Sequence, residues 1–99
     1  MDKAMRIPST PLLTMHLYAS GLLAAGKNER ALAVFKINRQ SHPEEKYWTF
    51  LGLARAYTAL GDKADAIKNW EIALESLPDF QKGNLPRFEK ILQGLKAGK

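Results

Sequence analysis

The stretch ALGDKADAIKNWEIALESLP, residues 59–78, decides the fold of this 99-residue chain. Gly61 is the residue type that ends a helix, because glycine adopts the left-handed conformation without steric cost. Asp62 can accept hydrogen bonds from the first amides of a following helix, and Pro78 cannot continue that helix. The stretch therefore predicts one capped amphipathic helix. Its inward positions are Ala66, Ile67, Trp70, Ala73 and Leu74.

The same pattern occurs a second time, 35 residues earlier in the chain. Both copies read G-x-x-x-x-A-x-x-x-aromatic and end at a proline. Four pairs of matched residues share this offset, which indicates an internal repeat. The matched pairs are Gly26 and Gly61, Ala31 and Ala66, Phe35 and Trp70, and Pro43 and Pro78.

Each repeat is predicted to contain two helices joined by a short turn. The predicted helices span residues 12–25, 28–41, 45–60 and 62–76. In the first helix the inward positions are Met15, Tyr18, Ala19 and Leu22, and in the third they are Phe50, Leu53, Ala54 and Tyr57. In the second helix they are Ala31, Phe35 and Asn38.

A fifth helix is predicted over residues 85–96. Its apolar residues recur at i, i+3, i+4 and i+7, which is typical of an amphipathic helix. A terminal helix of this kind covers the apolar face that a last repeat leaves open. The apolar stripe is Phe88, Ile91, Leu92 and Leu95, and the opposite face carries Arg87, Glu89, Lys90 and Lys96.

This arrangement resembles the tetratricopeptide repeat (TPR) family. The resemblance covers roughly residues 12–80, and Asn38 departs from the family pattern at a position where a small alanine is usual. It implies an all-α fold of five helices, with antiparallel hairpins stacked as a short right-handed α-solenoid. The expected organisation is an N-terminal extension (residues 1–11), two repeats (residues 12–45 and 46–80) and a C-terminal capping helix with its tail (residues 81–99).

A second resemblance concerns HPEEKYWTFLGLARAYTALGDKADAIKNWEIALE, residues 42–75, together with GNLPRFEKIL, residues 83–92. These segments look like the helical C-terminal tail of a bacterial, exported family of unknown function. On that interpretation the 99 residues are a fragment of a larger protein. The two interpretations imply different compartments. The chain as written would be cytoplasmic, and the tail of such a family would be exported.

The composition and the motifs favour a protein that has no catalytic activity and binds no metal or cofactor. The chain has no cysteine, and neither His16 nor His42 has carboxylates at metal-ligand spacing. Glu44 and Glu45 beside His42 are interpreted as complementing a helix dipole rather than as acid–base machinery. No nucleophile elbow or glycine-rich phosphate loop is present. We therefore expect no enzyme activity.

The remaining candidate site is the concave groove that the TPR resemblance implies, lined by the first helix of each hairpin. Trp48 and Arg55 are residue types that anchor binding in semi-enclosed pockets. In the other interpretation, Trp48 packs against the N-terminal segment or the preceding helix. The lysines and asparagines of the family's carboxylate clamp are absent, so binding of chaperone tails is not implied. The groove positions are Leu13, His16, Ser20 and Leu23, followed by Trp48, Leu51, Arg55 and Thr58.

These features predict a non-catalytic protein–protein interaction or scaffold module that binds a peptide or a partner domain. RNA binding is an alternative, because a 35-residue helical period and basic ends also resemble pentatricopeptide repeats. The formal net charge is +5, with both ends basic and residues 40–80 acidic, a pattern that attracts polyanions or merely aids solubility. Self-association into a homodimer is another alternative, since the first repeat could leave an apolar face uncovered. No membrane span is expected, because no apolar run approaches 18 residues.

Overall fold

The computed structural model of this protein describes residues 9–97, with side chains from residue 12 onward. This part of the chain is all-α, as predicted, and it contains no β-strand. Residues 1–8 of the predicted N-terminal extension and residues 98–99 of the predicted tail lie outside it. The helices are α1 (Ser9–Ala24), α2 (Asn28–Ser41), α3 (Trp48–Leu60), α4 (Lys63–Glu75), a 3-10 helix (Asp79–Asn84) and α5 (Leu85–Lys96).

Each α-helix packs against the next one along the chain, and α1 also packs against α3. The connections are short, so consecutive helices are held side by side. The central helix, α3, therefore has packed neighbours on three sides: α1, α2 and α4.

The turns after α1 and α3 have the same backbone geometry. Gly26 and Gly61 adopt left-handed conformations, with φ of 81° and 80°. In the first turn the amide of Lys27 donates to the carbonyl of Leu22 at 2.8 Å, and in the second the amide of Asp62 donates to the carbonyl of Tyr57 at 3.0 Å. Both turns satisfy the last carbonyls of a helix in the Schellman pattern. The predicted role of glycine at both helix ends is confirmed.

The predicted cap of the next helix is also confirmed. The Asp62 carboxylate accepts a hydrogen bond from the backbone amide of Asp65 at 3.4 Å. Such a bond satisfies one of the four amides that every helix leaves without an intrahelical partner.

Two hydrophobic clusters form the core, and α3 contributes to both. Leu51 and Ala54 belong to the cluster shared with α4 and α5, whereas Leu53 and Ala56 belong to the cluster shared with α1 and α2. Between them lies Gly52, which is buried against the Phe35 ring so closely that a Cβ atom there would overlap the ring. The chain packs α2 tightly against α3 only because position 52 lacks a side chain.

The prediction that Tyr18 faces inward is wrong, because its side chain is 58% exposed. Leu53, which is 35 residues later, occupies the corresponding position in α3 and is buried against the hairpin of α1 and α2. No earlier hairpin precedes α1 in the described residues, so Tyr18 has nothing equivalent to pack against.

Asn38 is fully buried between α1 and α2. Its side-chain amide donates a hydrogen bond of 3.2 Å to the carbonyl of Leu12. Its Oδ1 atom has no partner among the described residues. The polar residue that departs from the TPR pattern therefore links the beginning of α1 to the end of α2.

The segment between α2 and α3 is held by the Arg39 guanidinium. Its Nη1 atom donates to the carbonyl of Glu45 at 2.7 Å and to the hydroxyl of Thr49 at 2.9 Å. The Glu45 carboxylate in turn accepts from the amides of Tyr47 at 3.2 Å and Thr49 at 3.0 Å. The Glu45 side chain thus satisfies an amide in the first turn of α3, which begins at Trp48, three residues later than predicted.

The last helix covers α4, over the range predicted for it. Phe88 and Leu92 are buried, and the Phe88 ring lies 5.2 Å from that of Trp70. Ile91 and Leu95 pack partly buried against the same cluster. At the end of α5, Lys96 forms an ion pair of 2.8 Å with Glu71 of α4.

Candidate binding site

A cleft of about 520 Å³ lies between the helices, with walls from α1, α3, α4, the 3-10 helix and α5. Pockets of this size are typical of small-molecule and side-chain binding sites. Its aromatic and apolar wall consists of Leu23, Trp48, Leu51, Trp70, Phe88 and Ile91, and its polar lining of His16, Arg55, Thr58, Gln81, Asn84 and Arg87.

The structure brings most of the predicted groove residues together in this cleft. Six of the eight predicted positions line it, of which five are His16, Trp48, Leu51, Arg55 and Thr58. Leu23, the fourth groove position predicted on α1, lines it too. Ser20 is not a lining residue, but its hydroxyl accepts a hydrogen bond of 3.1 Å from Arg55 Nη1. Leu13 is not a lining residue either, and its side chain is 39% exposed.

Sequence reasoning missed the wall that the end of the chain contributes. Arg87 was assigned to the face of α5 away from the core, yet it lines the cleft together with Phe88 and Ile91. The spacing of Asn84, Arg87, Phe88 and Ile91 at i, i+3, i+4 and i+7 places them on one helical face, but it does not show which helices that face meets. Gln81 lies in the 3-10 helix, which was not predicted.

Trp48 both lines the cleft and packs against His16 of α1 and the adjacent Tyr47. Its ring meets the His16 ring edge-on at 5.1 Å and the Tyr47 ring edge-on at 5.0 Å. Edge-to-face pairs at such separations are favourable aromatic contacts. The half-buried indole is therefore fixed in position while part of its surface faces the cleft.

Two arginines on different helices give the cleft a positive charge. Arg55 is half-buried on α3, and Arg87 is exposed on α5. Burial lowers the pKa of the Arg55 guanidinium below its usual range, and the charge of Arg87 lowers it further. Among the described residues that line the cleft there is no Asp or Glu. The positive charge is thus concentrated without a carboxylate in the same wall.

His16 forms a neutral part of the floor. Burial lowers its pKa to about 4, and the nearby Arg55 charge adds to the effect. The imidazole is 5% exposed and packs 5.5 Å from the Phe35 ring. Its Nδ1 atom is buried and has no hydrogen-bond partner in the described part of the chain. At neutral pH this residue adds no charge to the site.

Several polar groups that line the cleft already form hydrogen bonds within the protein. The Thr58 hydroxyl donates to the carbonyl of Ala54 at 2.7 Å and accepts from Trp70 Nε1 at 2.9 Å. The Gln81 side-chain oxygen accepts from the Tyr47 hydroxyl at 3.0 Å and from the Asn84 amide at 2.8 Å. Within residues 12–97, the polar groups left over are mainly donors, on Arg55, Arg87 and the Gln81 amide nitrogen.

Comparison with known proteins gives this site no precedent. No family model matches the chain, and neither a curated protein nor a solved structure matches it. None of the helices in residues 9–97 is long and apolar enough to cross a membrane. The chemistry of the cleft therefore has to be inferred from its own residues.

Proposed function

We propose that this chain is a non-catalytic protein–protein interaction module of the TPR type, whose cleft holds a segment of a partner protein. The observation that carries the proposal is the cleft itself, in which an aromatic wall and two arginines converge from α3 and α5. Tryptophan and arginine are the residue types most enriched among energetically dominant interface residues.

The repeat supports the TPR-like part of the proposal. The turns at Gly26 and Gly61 share their φ values and their hydrogen bonds, at an offset of 35 residues. Ser20 and Arg55, separated by the same offset, meet at the edge of the cleft. Two hairpins related in this way, followed by α5 as a cap, would form a short right-handed solenoid with the first helices on its concave side.

Phage display tests the proposal. The whole chain is the bait, and peptides that bind it are selected from a random-sequence library. Peptides enriched on the protein should bind it in solution, and Trp48→Ala should weaken them by roughly tenfold or more. Arg55→Gln is the second variant, because Trp48 also packs against His16 and its loss could lower the melting temperature. Tyr18→Ala is the matched control, since it removes an exposed aromatic side chain outside the cleft.

Two results would contradict the proposal. One is a selection in which no peptide is enriched above an unrelated helical bait. The other is a set of enriched peptides that bind the Trp48 and Arg55 variants as tightly as the unaltered chain, with all proteins shown to be folded by circular dichroism.

Self-association is a second candidate function, favoured by the exposed side chains of α1. Leu17 is 70% exposed and Tyr18 is 58% exposed, on a helix that has no preceding hairpin in the described residues. Sedimentation velocity at two protein concentrations separates the cases. A mass that rises with concentration and returns to that of a monomer in Leu17→Lys supports a dimer, and a constant monomer mass excludes it.

A further inference from the structure

From the geometry of the cleft we infer that the bound segment is acidic, with a side-chain carboxylate held between Arg55 and Arg87 and an apolar side chain beside it against Trp48. The inference rests on the proposed function and names the chemistry of the partner.

The first reason is the unbalanced charge of the two arginines. Arg55 and Arg87 are 32 positions apart in sequence, yet both line the same cleft and the charge of Arg87 acts on Arg55. Two positive charges in one cleft repel each other, and an anion bound between them would be attracted to both. The described lining supplies no carboxylate that could serve as this anion.

The second reason is that Arg55 is prepared for an anionic ligand. Its side chain is half-buried, so part of its hydration has already been removed. The bond to the Ser20 hydroxyl occupies one N–H of Nη1 and fixes the guanidinium against α1. The remaining N–H groups have no partner among the described residues. A planar guanidinium held in this way can bind a carboxylate through two parallel hydrogen bonds.

The third reason is the balance of donors and acceptors. The Thr58 hydroxyl proton is used by the Ala54 carbonyl, and the Gln81 oxygen accepts two hydrogen bonds. The Gln81 amide nitrogen remains as a donor in the cleft that the two arginines also line. A ligand that satisfies this site must bring acceptor oxygens, and a carboxylate brings two.

The small size of the cleft and its acidic surroundings favour a peptide that brings a single carboxylate over a nucleic acid, which brings one negative charge per phosphate. Proteins that bind single strands carry a basic groove that follows the backbone over several nucleotides. Here residues 40–80, which include α3 and α4, contain seven Asp and Glu against four Lys and Arg. The cleft of about 520 Å³ is also lined by Leu23, Phe88 and Ile91, which suit an apolar side chain next to the carboxylate.

Fluorescence anisotropy with synthetic peptide pools tests the inference. Each pool consists of acetylated and amidated ten-residue peptides with a central Phe, randomised flanks and one fixed residue beside the Phe. The fixed residue is Glu in the first pool, Gln in the second and Lys in the third. Blocked ends ensure that only a side-chain carboxylate differs between the first two pools.

We expect the Glu pool to bind about tenfold more tightly than the Gln pool, because hydrogen bonds to charged groups are worth more than neutral ones. Arg87→Gln and Arg55→Gln should each bring the Glu pool to the affinity of the Gln pool, while the affinity of the Gln pool stays the same. Arg30→Gln is the matched control, because Arg30 is an exposed arginine outside the cleft, and it should change neither pool.

The outcomes separate this inference from the proposed function. Equal binding of the Glu and Gln pools overturns the acidic partner but leaves a peptide-binding module. Failure of all three pools, together with failure of the phage selection, overturns both. A single-stranded RNA of ten nucleotides that binds more tightly than the Glu pool at 150 mM salt also overturns the inference, in favour of a nucleic acid ligand.

Discussion

Arg55 Nη1 donates a hydrogen bond of 3.1 Å to the hydroxyl of Ser20, a residue that lies 35 positions earlier in the sequence. The bond joins corresponding positions of the two repeats and connects α3 to α1. Because this bond fixes one side of the guanidinium, it also fixes the direction of the remaining N–H groups of Arg55. Ser20 itself does not line the cleft. Ser20 is therefore a positioning residue for Arg55.

Loss of the Ser20 hydroxyl should weaken binding of the Glu pool by roughly threefold to fivefold, because only part of the roughly 1.5–3 kcal/mol of a hydrogen bond from a charged guanidinium is expressed in the positioning of its other donors. Ser20→Ala is measured by fluorescence anisotropy, with Ser41→Ala at the exposed end of α2 as control. Restoration by Ser20→Thr distinguishes positioning of Arg55 from a change in packing. Unchanged affinity in Ser20→Ala would show that Arg55 needs no support from α1.

Removal of the Thr58 hydroxyl should destabilise the fold by about 1–3 kcal/mol, since it leaves the N–H of Trp70 buried without an acceptor. Trp70 is 2% exposed, so water does not readily replace the lost partner. The measurement is urea unfolding of Thr58→Val, with Thr14→Val on the exposed face of α1 as the matched control. A double-mutant cycle with Trp70→Phe should give a coupling energy of at least about 0.5 kcal/mol, and a coupling of zero contradicts the bond.

Addition of one methyl group at position 52 should destabilise the protein by up to about 2 kcal/mol. The new Cβ would overlap the Phe35 ring, and overpacking of this kind typically costs about 1–3 kcal/mol. The better helix propensity of alanine offsets about 1 kcal/mol of that cost. Thermal unfolding of Gly52→Ala should show a melting temperature lower by several degrees.

The matched control is Gly94→Ala in α5, where a Cβ would meet nothing within 4 Å. The same substitution there should be neutral or should raise the melting temperature, because only the propensity gain applies. If Gly52→Ala behaves like Gly94→Ala, α2 and α3 are not packed as closely as the Phe35 contact indicates.

Acid should destabilise the protein through His16. Its pKa is about 4 in the folded protein against 6.5 in the unfolded chain, so the unfolded chain binds more protons between these values. The free energy of unfolding should therefore fall as the pH drops from 6.5 towards 4, by up to about 3 kcal/mol. Below the folded-state pKa the contribution of His16 should change no further.

Urea unfolding of the unaltered chain and of His16→Phe, each at pH 7 and pH 4.5, measures this effect. The quantity compared between the two proteins is the loss of unfolding free energy on acidification. Phenylalanine keeps an aromatic ring between Phe35 and Trp48 but cannot be protonated. The variant should lose less stability on acidification, whereas His42→Gln, outside the cleft, should behave like the unaltered chain. Equal losses in all three proteins would exclude His16 as the acid-sensitive group.

Local sequence signals predicted most of the helices. The ranges of α2 and α5 agree with the predicted ones, because glycine, proline and apolar periodicity mark them within a few residues. α1 begins at Ser9, three residues before the predicted start, since a proline in the first helical turn loses no hydrogen bond. The 3-10 helix had no such signal, because it is held by the Tyr47 hydroxyl, 34 residues away from Gln81.

The cleft was predictable only in part, for a related reason. The repeat pattern predicted groove positions on α1 and α3, because equivalent residues of these two helices lie 35 positions apart. Arg87 lies outside the repeat, and the position of α5 relative to α3 depends on contacts such as that between Phe88 and Trp70. These contacts join residues far apart in sequence, so no local pattern encodes them.

The participation of α3 in both hydrophobic clusters has a consequence for how the chain unfolds. A cut or a local opening in the segment 42–47 would take Leu53 and Ala56 away from the first hairpin, which would then keep only part of its core. We therefore expect neither half to be stable alone, and backbone amides in the middle of α3 should exchange with solvent only when the whole described chain unfolds. Division of this protein for experiments at its visible repeat boundary would yield two unstable pieces instead of two modules.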